Sequence, residues 1–547
     1  MCGYQSGDKG MQVEMPAFSR EIEGCRRVMI RFPEPPPLFS HNMKKFEEYF
    51  SFDDILGDLI RWRVKGQDVG KTLPPRREWC RDNLQKRKHL SNEEVHRRAI
   101  WRKVIGVRKQ GQLEDYKWGR ALRALINDVQ AAVFSGDVTF QPPKILKVTK
   151  GYENGIKQLR DVAKFEQLAD RVILNRTRVY VRDMLEDVLG DCCYSYRRDA
   201  GITHQTAIWA LQEWRVGHAK GTMSVAECDI QKFFDKISHD VVRRRWNDVG
   251  FDPRAGKVLE AYLAVYSYSK SERRGLPQGG SLSTVLANLV LAAADNAVRE
   301  TDDGHLFYAR FCDDVVFIHP DEAMCRQAME SYVAALEQLD LQIHPVEPFT
   351  YKPTDSSTTK YYAIKSKGPF RWGEPNVGEE NCAPWVSFLG SQIHYNGETR
   401  IRRESIDKHI RSLGEVTASA VRALQNKKPP FMGSQGADQW FARFRNRLIA
   451  KGVGYVTAKV EDCGLCWAGA FPNVTDCEDT RMQMRRLDRV REGMLCKVFY
   501  MLPKAFRKKR RHFKGRPFSY FGFLQKAMRP TNMAFQRHKH VLSYSEL

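Results

Sequence analysis

Three carboxylates are the first candidates for chemistry: Asp229, at the end of an apolar run, and the adjacent pair Asp313-Asp314. The pair follows Asp229 by 84 residues (313 − 229). Carboxylates brought together repel one another and are costly to bury unless a cation neutralises them. Hard oxygen donors of this kind suit Mg²⁺. Two such ions serve phosphoryl transfer, one activating an attacking 3′-hydroxyl and the other stabilising the pyrophosphate that leaves. A solvated turn is the other reading of an Asp-Asp pair. The apolar runs on either side, HLFYARFC and VVFIHP, favour the metal reading.

Two further segments bring groups that handle nucleotides. In RGLPQGGSLS (274–283) the glycines let backbone come close to a nucleotide and template. Gln278 offers an amide to a base or sugar edge, and the helix that follows offers its N-terminus to phosphate. Phe233-Phe234 lies just beyond Asp229. An aromatic five residues past the metal-binding aspartate can lie under an incoming sugar and clash with a 2′-hydroxyl. The alternative is that both rings are core, which suits Phe233 better than Phe234.

The elements that must position these residues follow from local pattern. Met223–Ile230 reads as a short buried strand, and Ser238 opens a helix that Gly250 ends. A second helix reaches Val265, and another runs from Leu282 to Arg299. The two apolar runs around Asp313-Asp314 read as a β-hairpin with the carboxylates at its turn, and 321–339 is helical again. Strand, helices, hairpin and helix make an α+β pattern with helices on one face of an antiparallel sheet.

DIQKFFDKISHDVV, RGLPQGGSLSTVLANLVL and YARFCDDVVFI, in that order and spacing, resemble the palm motifs of the reverse transcriptase family, in its group II intron-like branch. The resemblance implies a right-hand polymerase: fingers, a palm with an antiparallel sheet and Asp-Asp hairpin, and a helical thumb. It implies that Asp229, Asp313 and Asp314 are catalytic. Asp229, Ile230, Asp313 and Asp314 would hold two Mg²⁺ ions. Phe234 would be the steric gate selecting dNTPs, Gln278 would contact the nucleotide, and Lys157 and Arg160 would hold the triphosphate. WVSFLGSQIHYNG is similar to the primer-grip strand pair, and RIRRESIDKHIRSL to the start of the thumb. There are two departures. Phe311-Cys312 stands where the family usually has Tyr-x. The stretch LDLQIHPVEPFTYKPTDSSTTKYY lacks the usual pattern, so no lysine is assigned as general acid toward pyrophosphate.

The resemblance covers residues 150–415, and the organisation expected around it is fourfold. Residues 1–140 form a basic helical extension, 141–222 the fingers, 223–399 the palm, and 400–547 the thumb with a basic extension. FPEPPPL breaks the chain near its start, and Ser91 with Glu94 makes a capping box. Tryptophans interleaved with Arg and Lys before residue 135 are either base-stacking groups or core. The run KAFRKKRRHFKGR, with Arg507, Lys508, Lys509, Arg510 and Arg511, is either a nucleic-acid contact or a solvated tail.

Composition agrees with a polyanionic partner. The chain has 547 residues, with Lys+Arg 89 against Asp+Glu 66, a net charge of +23. Its 13 cysteines form no compact framework, which suits a reducing compartment. One CxxC, Cys463 to Cys466, stands without a paired second half, so zinc is not expected. The N-terminus shows no signal-peptide pattern and no stretch suits a membrane span, so the expected location is the cytoplasm. No RNase H carboxylate set and no HNH-like cluster is found. Intron-like motifs between unfamiliar helical extensions resemble most the bacterial antiphage, defence-associated reverse transcriptases. The implied partners are an RNA template, expected to be a noncoding RNA, a DNA product, dNTPs, and a second copy or partner protein. The alternatives are a group II intron maturase, an RNA-dependent RNA polymerase (disfavoured by Phe234) and a non-catalytic RNA-binding scaffold.

Overall fold

The computed structural model describes residues 44–79, 92–153, 156–198, 201–218, 221–268, 272–347, 364–375, 381–425, 434–453, 473–502, 504 and 519–527. The chain divides into a unit of residues 1–45 and one of residues 46–547, and every element named below belongs to the second. FPEPPPL and Ser91 lie outside the described residues.

Three helices open this unit: α1 (Phe52–Val64), α2 (Asn92–Lys109) and α3 (Lys117–Ser135). Ser51 caps α1, its hydroxyl accepting the Asp54 N–H at 3.2 Å. The tryptophans divide between the two readings. Trp118 is core and Trp62 and Trp79 pack against it, whereas Trp101 is exposed. Among the described residues these helices share their core with the elements that follow. Ile55, Leu122 and Val129 share one apolar cluster with Val172, Tyr262, Leu286 and Phe317.

Strands β1 (Lys144–Glu153) and β2 (Ile156–Lys164) then form an antiparallel hairpin. Ile145, Leu146, Val148 and Leu159 on it are all exposed. Helices α4 (Leu168–Leu185) and α5 (His204–Gly217) lead into the central sheet.

That sheet is built from β3 (Met223–Asp229), β4 (Phe307–Phe311), β5 (Asp314–His319), β6 (Val346–Glu347), β7 (Ser366–Trp372) and β8 (Cys382–Ala383). Its order is β4-β5-β3-β7-β6, with β8 beside β7. The first four strands are antiparallel, and β6 and β8 run parallel to β7. Between β3 and β4 lie α6 (His239–Val249), α7 (Pro253–Ala264) and α8 (Ser283–Arg299), and α9 (Glu322–Gln338) follows β5. Gly250 ends α6 as expected, but the Ser238 side chain makes no capping bond.

Both sheet faces are covered, and the period-2 alternation shows it. Ala226, Cys228, Val315 and Phe317 join the large cluster with α8 and α9. Val225, Val316, Ile318 and Ala309 face the other way, into a smaller cluster with α5 and the next sheet. Each large apolar side chain buried here, Phe317 or Trp372 for example, contributes roughly 1.5–3 kcal/mol.

The smaller sheet has order β11-β10-β9, from β9 (Trp385–Phe388), β10 (Ser391–His394) and β11 (Thr399–Ile401). Four helices follow: α10 (Arg403–Gln425), α11 (Ser434–Val453), α12 (Glu478–Tyr500) and α13 (Tyr520–Ala527). Among the described residues no helix is long and apolar enough to cross a membrane.

Candidate active site

Register brings the first two carboxylates together. Asp229 on β3 is the cross-strand partner of Asp314 on β5, so both side chains stand on one face of the sheet. Glu227, two residues before Asp229, shares that face. Asp313 occupies the two-residue turn Cys312-Asp313 between β4 and β5. Cys312 has φ +62°, the positive φ at the first turn position that normally selects glycine. Ile230, its side chain buried, makes an isolated antiparallel bridge to Ile343. The flanking bonds are Gln231 N–H to Gln342 C=O and His344 N–H to Asp229 C=O, both 2.8 Å, so Ile230's own carbonyl is not used in the bridge.

The carboxylates crowd one another. Asp314 reaches solvent, yet the surrounding protein desolvates it, and Asp313, Asp229 and Glu227 add repulsion; its pKa is pushed up to about 7. Desolvation also raises Asp313, and Asp229 adds to the rise. Among the described residues no three or more His, Cys, Asp or Glu side chains form a ready-made metal cage. The three aspartates are instead a loose set in which Asp314 is exposed and Asp229 and Asp313 are half-buried.

Three basic groups missed by sequence reasoning adjoin this set. Lys365 Nζ lies 3.2 Å from Asp229 Oδ2 and 3.0 Å from His344 Nε2, and His344 is itself 3.8 Å from Asp229. Lys367, buried on β7, pairs with Glu227 across the sheet. The visible signal was the pair of lysines in Lys365-Ser366-Lys367, where β7 begins; Ser366 Oγ in turn accepts the Asp229 N–H at 3.2 Å.

The nucleotide-handling candidates divide. Phe233 is core, and Phe234 is half-buried beside it with ring centroids 5.2 Å apart, both on the one-turn helix Phe233–Lys236. Gln278 is half-buried, its Nε2 3.4 Å from Asp235 Oδ1. Its carbonyl accepts the Ala163 N–H of β2 at 2.7 Å, tying the loop to the hairpin. Burial raises the pKa of Asp235 as it does that of Asp313, and exposed Arg160 on β2 lies near enough to oppose both rises slightly. Lys157 is on the same strand with its side chain outside the described residues, as are Arg507, Lys508, Lys509, Arg510, Arg511, Cys463 and Cys466.

The close approach that the glycines permit is to protein: a Cβ on Gly279, at φ +89°, would meet Val162 Cγ1 at 2.6 Å, and one on Gly280 would strike the Tyr262 hydroxyl. At the N-terminus of α8 the first side chain turns inward. Ser283 is buried, its hydroxyl donating to Pro277 C=O at 2.8 Å and lying 2.7 Å from Tyr262 OH.

The sheet is mixed rather than purely antiparallel as expected, since β6 and β8 run parallel to β7; its antiparallel strands, backed by α8 and α9 and carrying carboxylates at a strand end and a hairpin turn, make the α+β arrangement of a right-hand polymerase palm. Within that class, residues 178–346 match the family described as reverse transcriptase (RNA-dependent DNA polymerase), and the chain carries a domain of that family. The putative COX1/OXI3 intron 1 protein of Saccharomyces cerevisiae is 25% identical over 180 residues, 32% of this chain and 20% of that protein. Group II intron-encoded protein LtrA of Lactococcus lactis subsp. cremoris is 25% identical over 200 residues, 36% of this chain and 31% of the relative. The chain thus spans a third or less of the length of these two relatives. Among solved structures, apo telomerase from Candida tropicalis superposes with TM-score 0.35 at 8% identity over 88% of each chain. Telomerase from Candida albicans, in complex with a telomeric RNA fragment, gives 0.34 at 10% identity over 75% of this chain and 64% of that one.

Proposed function

We propose that this chain is an RNA-directed DNA polymerase, with Asp229, Asp313 and Asp314 as its catalytic carboxylates. The observation that carries the reading is the register of β3 against β5, which pairs Asp229 with Asp314 beside the Asp313 turn. The donor set fits divalent cations: acceptor-only oxygens, mutually repelling. Asp229, Asp313, Asp314 and the Ile230 carbonyl would hold Mg²⁺. When bound, the two ions would supply activation of the 3′-hydroxyl and charge stabilisation of the leaving pyrophosphate.

The chain's own residues do the rest. Phe234 floors the sugar site and excludes a 2′-hydroxyl. Gln278, oriented by Asp235, meets the nucleotide from the loop side. Arg160, with Lys157 on the same strand, offers positive charge to the triphosphate. Lys365 brings an ammonium beside Asp229, on the side opposite the hairpin turn. The fingers, palm and thumb take residues 141–222, 223–399 and 400–547.

The wider setting we propose is bacterial antiphage defence, with a noncoding RNA as template or scaffold. The combination of intron-like motifs with unfamiliar terminal extensions supports it. A maturase is the second reading, favoured by the similarity to LtrA.

Primer extension on an RNA template with dNTPs and Mg²⁺ is the direct test. Wild-type protein extends the primer, whereas Asp313→Asn, or chelation with EDTA, lowers the rate by roughly a thousandfold or more. Equal extension by wild type and Asp313→Asn overturns the reading. In a phage challenge, protection that survives Asp313→Asn favours an RNA-binding scaffold. Tight, selective binding to one flanking intron RNA with accelerated splicing favours the maturase.

A further inference from the structure

Cys312 stands immediately before Asp313 in a left-handed conformation, φ +62°, that strains any residue with a Cβ. Such a residue persists only where its surroundings over-determine it, and strain of this kind collects at functional sites. Here both backbone polar groups of Cys312 are gripped by buried side chains. Its N–H donates to Ser195 Oγ at 3.0 Å, and its C=O accepts from Arg310 Nη1 at 3.2 Å.

The two grips are joined to each other. Ser195 Oγ donates to Asn288 Oδ1 at 3.0 Å, Arg310 Nη1 donates to the same oxygen at 3.1 Å, and Asn288 Nδ2 returns a bond to Ser195 C=O at 2.6 Å. Arg310 is anchored behind them by a two-point pair with Asp295, Nε to Oδ1 at 2.7 Å and Nη2 to Oδ2 at 2.6 Å. Tyr308 OH donates to Asp295 Oδ1 at 2.7 Å. Ser195, Asn288, Asp295 and Arg310 are each 1% exposed or less. The members come from the α4–α5 connection, α8 and β4, so three separate parts of the fold converge on the two peptide groups that flank the Cys312 Cα.

A buried ion pair is a poor source of stability, because its desolvation offsets its attraction. What a fully bonded one supplies is fixed geometry: Arg310 presents planar donors at set angles to Asp295, Asn288 and the Cys312 carbonyl at once. Ser195 makes the complementary contact from the other side of the turn.

We propose that Ser195, Asn288, Asp295 and Arg310 form the positioning network of the candidate catalytic site. By locking the Cys312 peptide left-handed, they fix the direction from which the Asp313 carboxylate meets Asp229 and Asp314. None of the four touches substrate; they act through the turn. The proposal rests on the reading of the aspartates as a metal-dependent nucleotidyl-transfer site.

Ser195→Ala removes one hydroxyl and leaves the ion pair intact. With secondary structure and melting checked, the variant lowers kcat for primer extension roughly ten- to a hundredfold with little change in the KM for dNTP. It also raises the Mg²⁺ concentration for half-maximal activity by about tenfold or more, as loss of an outer-sphere partner does. Adding Cys312→Gly to Ser195→Ala recovers part of both losses, since glycine adopts φ +62° without being held. A folded Ser195→Ala with wild-type kcat and wild-type Mg²⁺ dependence overturns the proposal. If Ser195→Ala does not fold, Ser195→Cys, with the same shape and a weaker hydrogen bond, carries the same two outcomes. If wild-type protein extends no primer, the polymerase reading fails by itself. The network is then judged by Mn²⁺ binding followed by electron paramagnetic resonance: weaker Asp313-dependent binding in Ser195→Ala supports it, and unchanged binding overturns it.

Discussion

At the scale of residues, identity and neighbourhood decide what each group can do. Phe234 is pinned on two sides: Phe233 lies against its ring, and its carbonyl accepts the Leu276 N–H at 2.7 Å. A ring held that firmly is suited to discriminate by shape rather than by hydrogen bonding. Phe234→Ala is therefore expected to raise rNTP use, lowering the ratio of kcat/KM for dNTP over rNTP by roughly 10- to 100-fold. An unchanged ratio in a folded variant would remove Phe234 from the gate role. That Asp229, Asp313 and Asp314 would come together was legible in the sequence, because the signal lay in residue type next to apolar runs. Lys365 was not, because its contact with Asp229 is made across the sheet by residues 136 positions apart (365 − 229). The Ser195 network was hidden for the same reason, since its polar side chains look like ordinary surface residues until the fold buries them.

At the scale of elements, local pattern gave β3, the hairpin around Cys312-Asp313 and the helix capped by Asp321 close to their observed bounds, but not β6, β7 or β8, whose short or polar segments carry no apolar alternation. Caps and loops were harder. The Ser238 side chain makes no capping bond, and the glycine loop's freedom is spent on packing against Val162 and Tyr262. No local pattern reveals what a glycine will pack against. The helical C-terminal region holds a buried histidine that carries its own prediction. His409 on α10 is 5% exposed, its Nε2 2.7 Å from Tyr520 OH on α13. Desolvation, with Lys451 nearby, lowers its pKa from 6.5 to about 4. The unfolded chain therefore binds a proton that the folded one refuses. Stability from this group is complete above pH 6.5 and is lost as pH falls from 6.5 through 4, by on the order of 3 kcal/mol. Urea melts monitored across that range are expected to show the loss, and His409→Gln to flatten it. An equal slope in both proteins would assign the acid sensitivity elsewhere.

At the scale of the whole molecule, the feature that remains is charge. The net +23 is what remains after 66 acidic residues are set against 89 basic ones, and some of those acids sit directly on surface arginines. Arg243 is bonded to Glu260 and Asp240, and Arg254 to Glu47 and Asp252. Such exposed pairs add little stability, yet they withdraw positive charge from any partner. The surplus must therefore act where acids are scarce, and the sequence places its densest basic run at 507–511. Binding that engages 6 to 10 phosphates of a single-stranded RNA gives a log–log salt slope of roughly −4 to −7, at about 0.7 per contact. Replacing Arg507, Lys508, Lys509, Arg510 and Arg511 with Ala is expected to reduce the magnitude of that slope by about 3, measured by fluorescence anisotropy between 50 and 300 mM salt. Asp313→Asn should leave the slope as it is, since the carboxylate site contributes no cation of its own. A slope that ignores the five substitutions would move the RNA contact off this run, toward basic residues such as Arg160 that face the carboxylates.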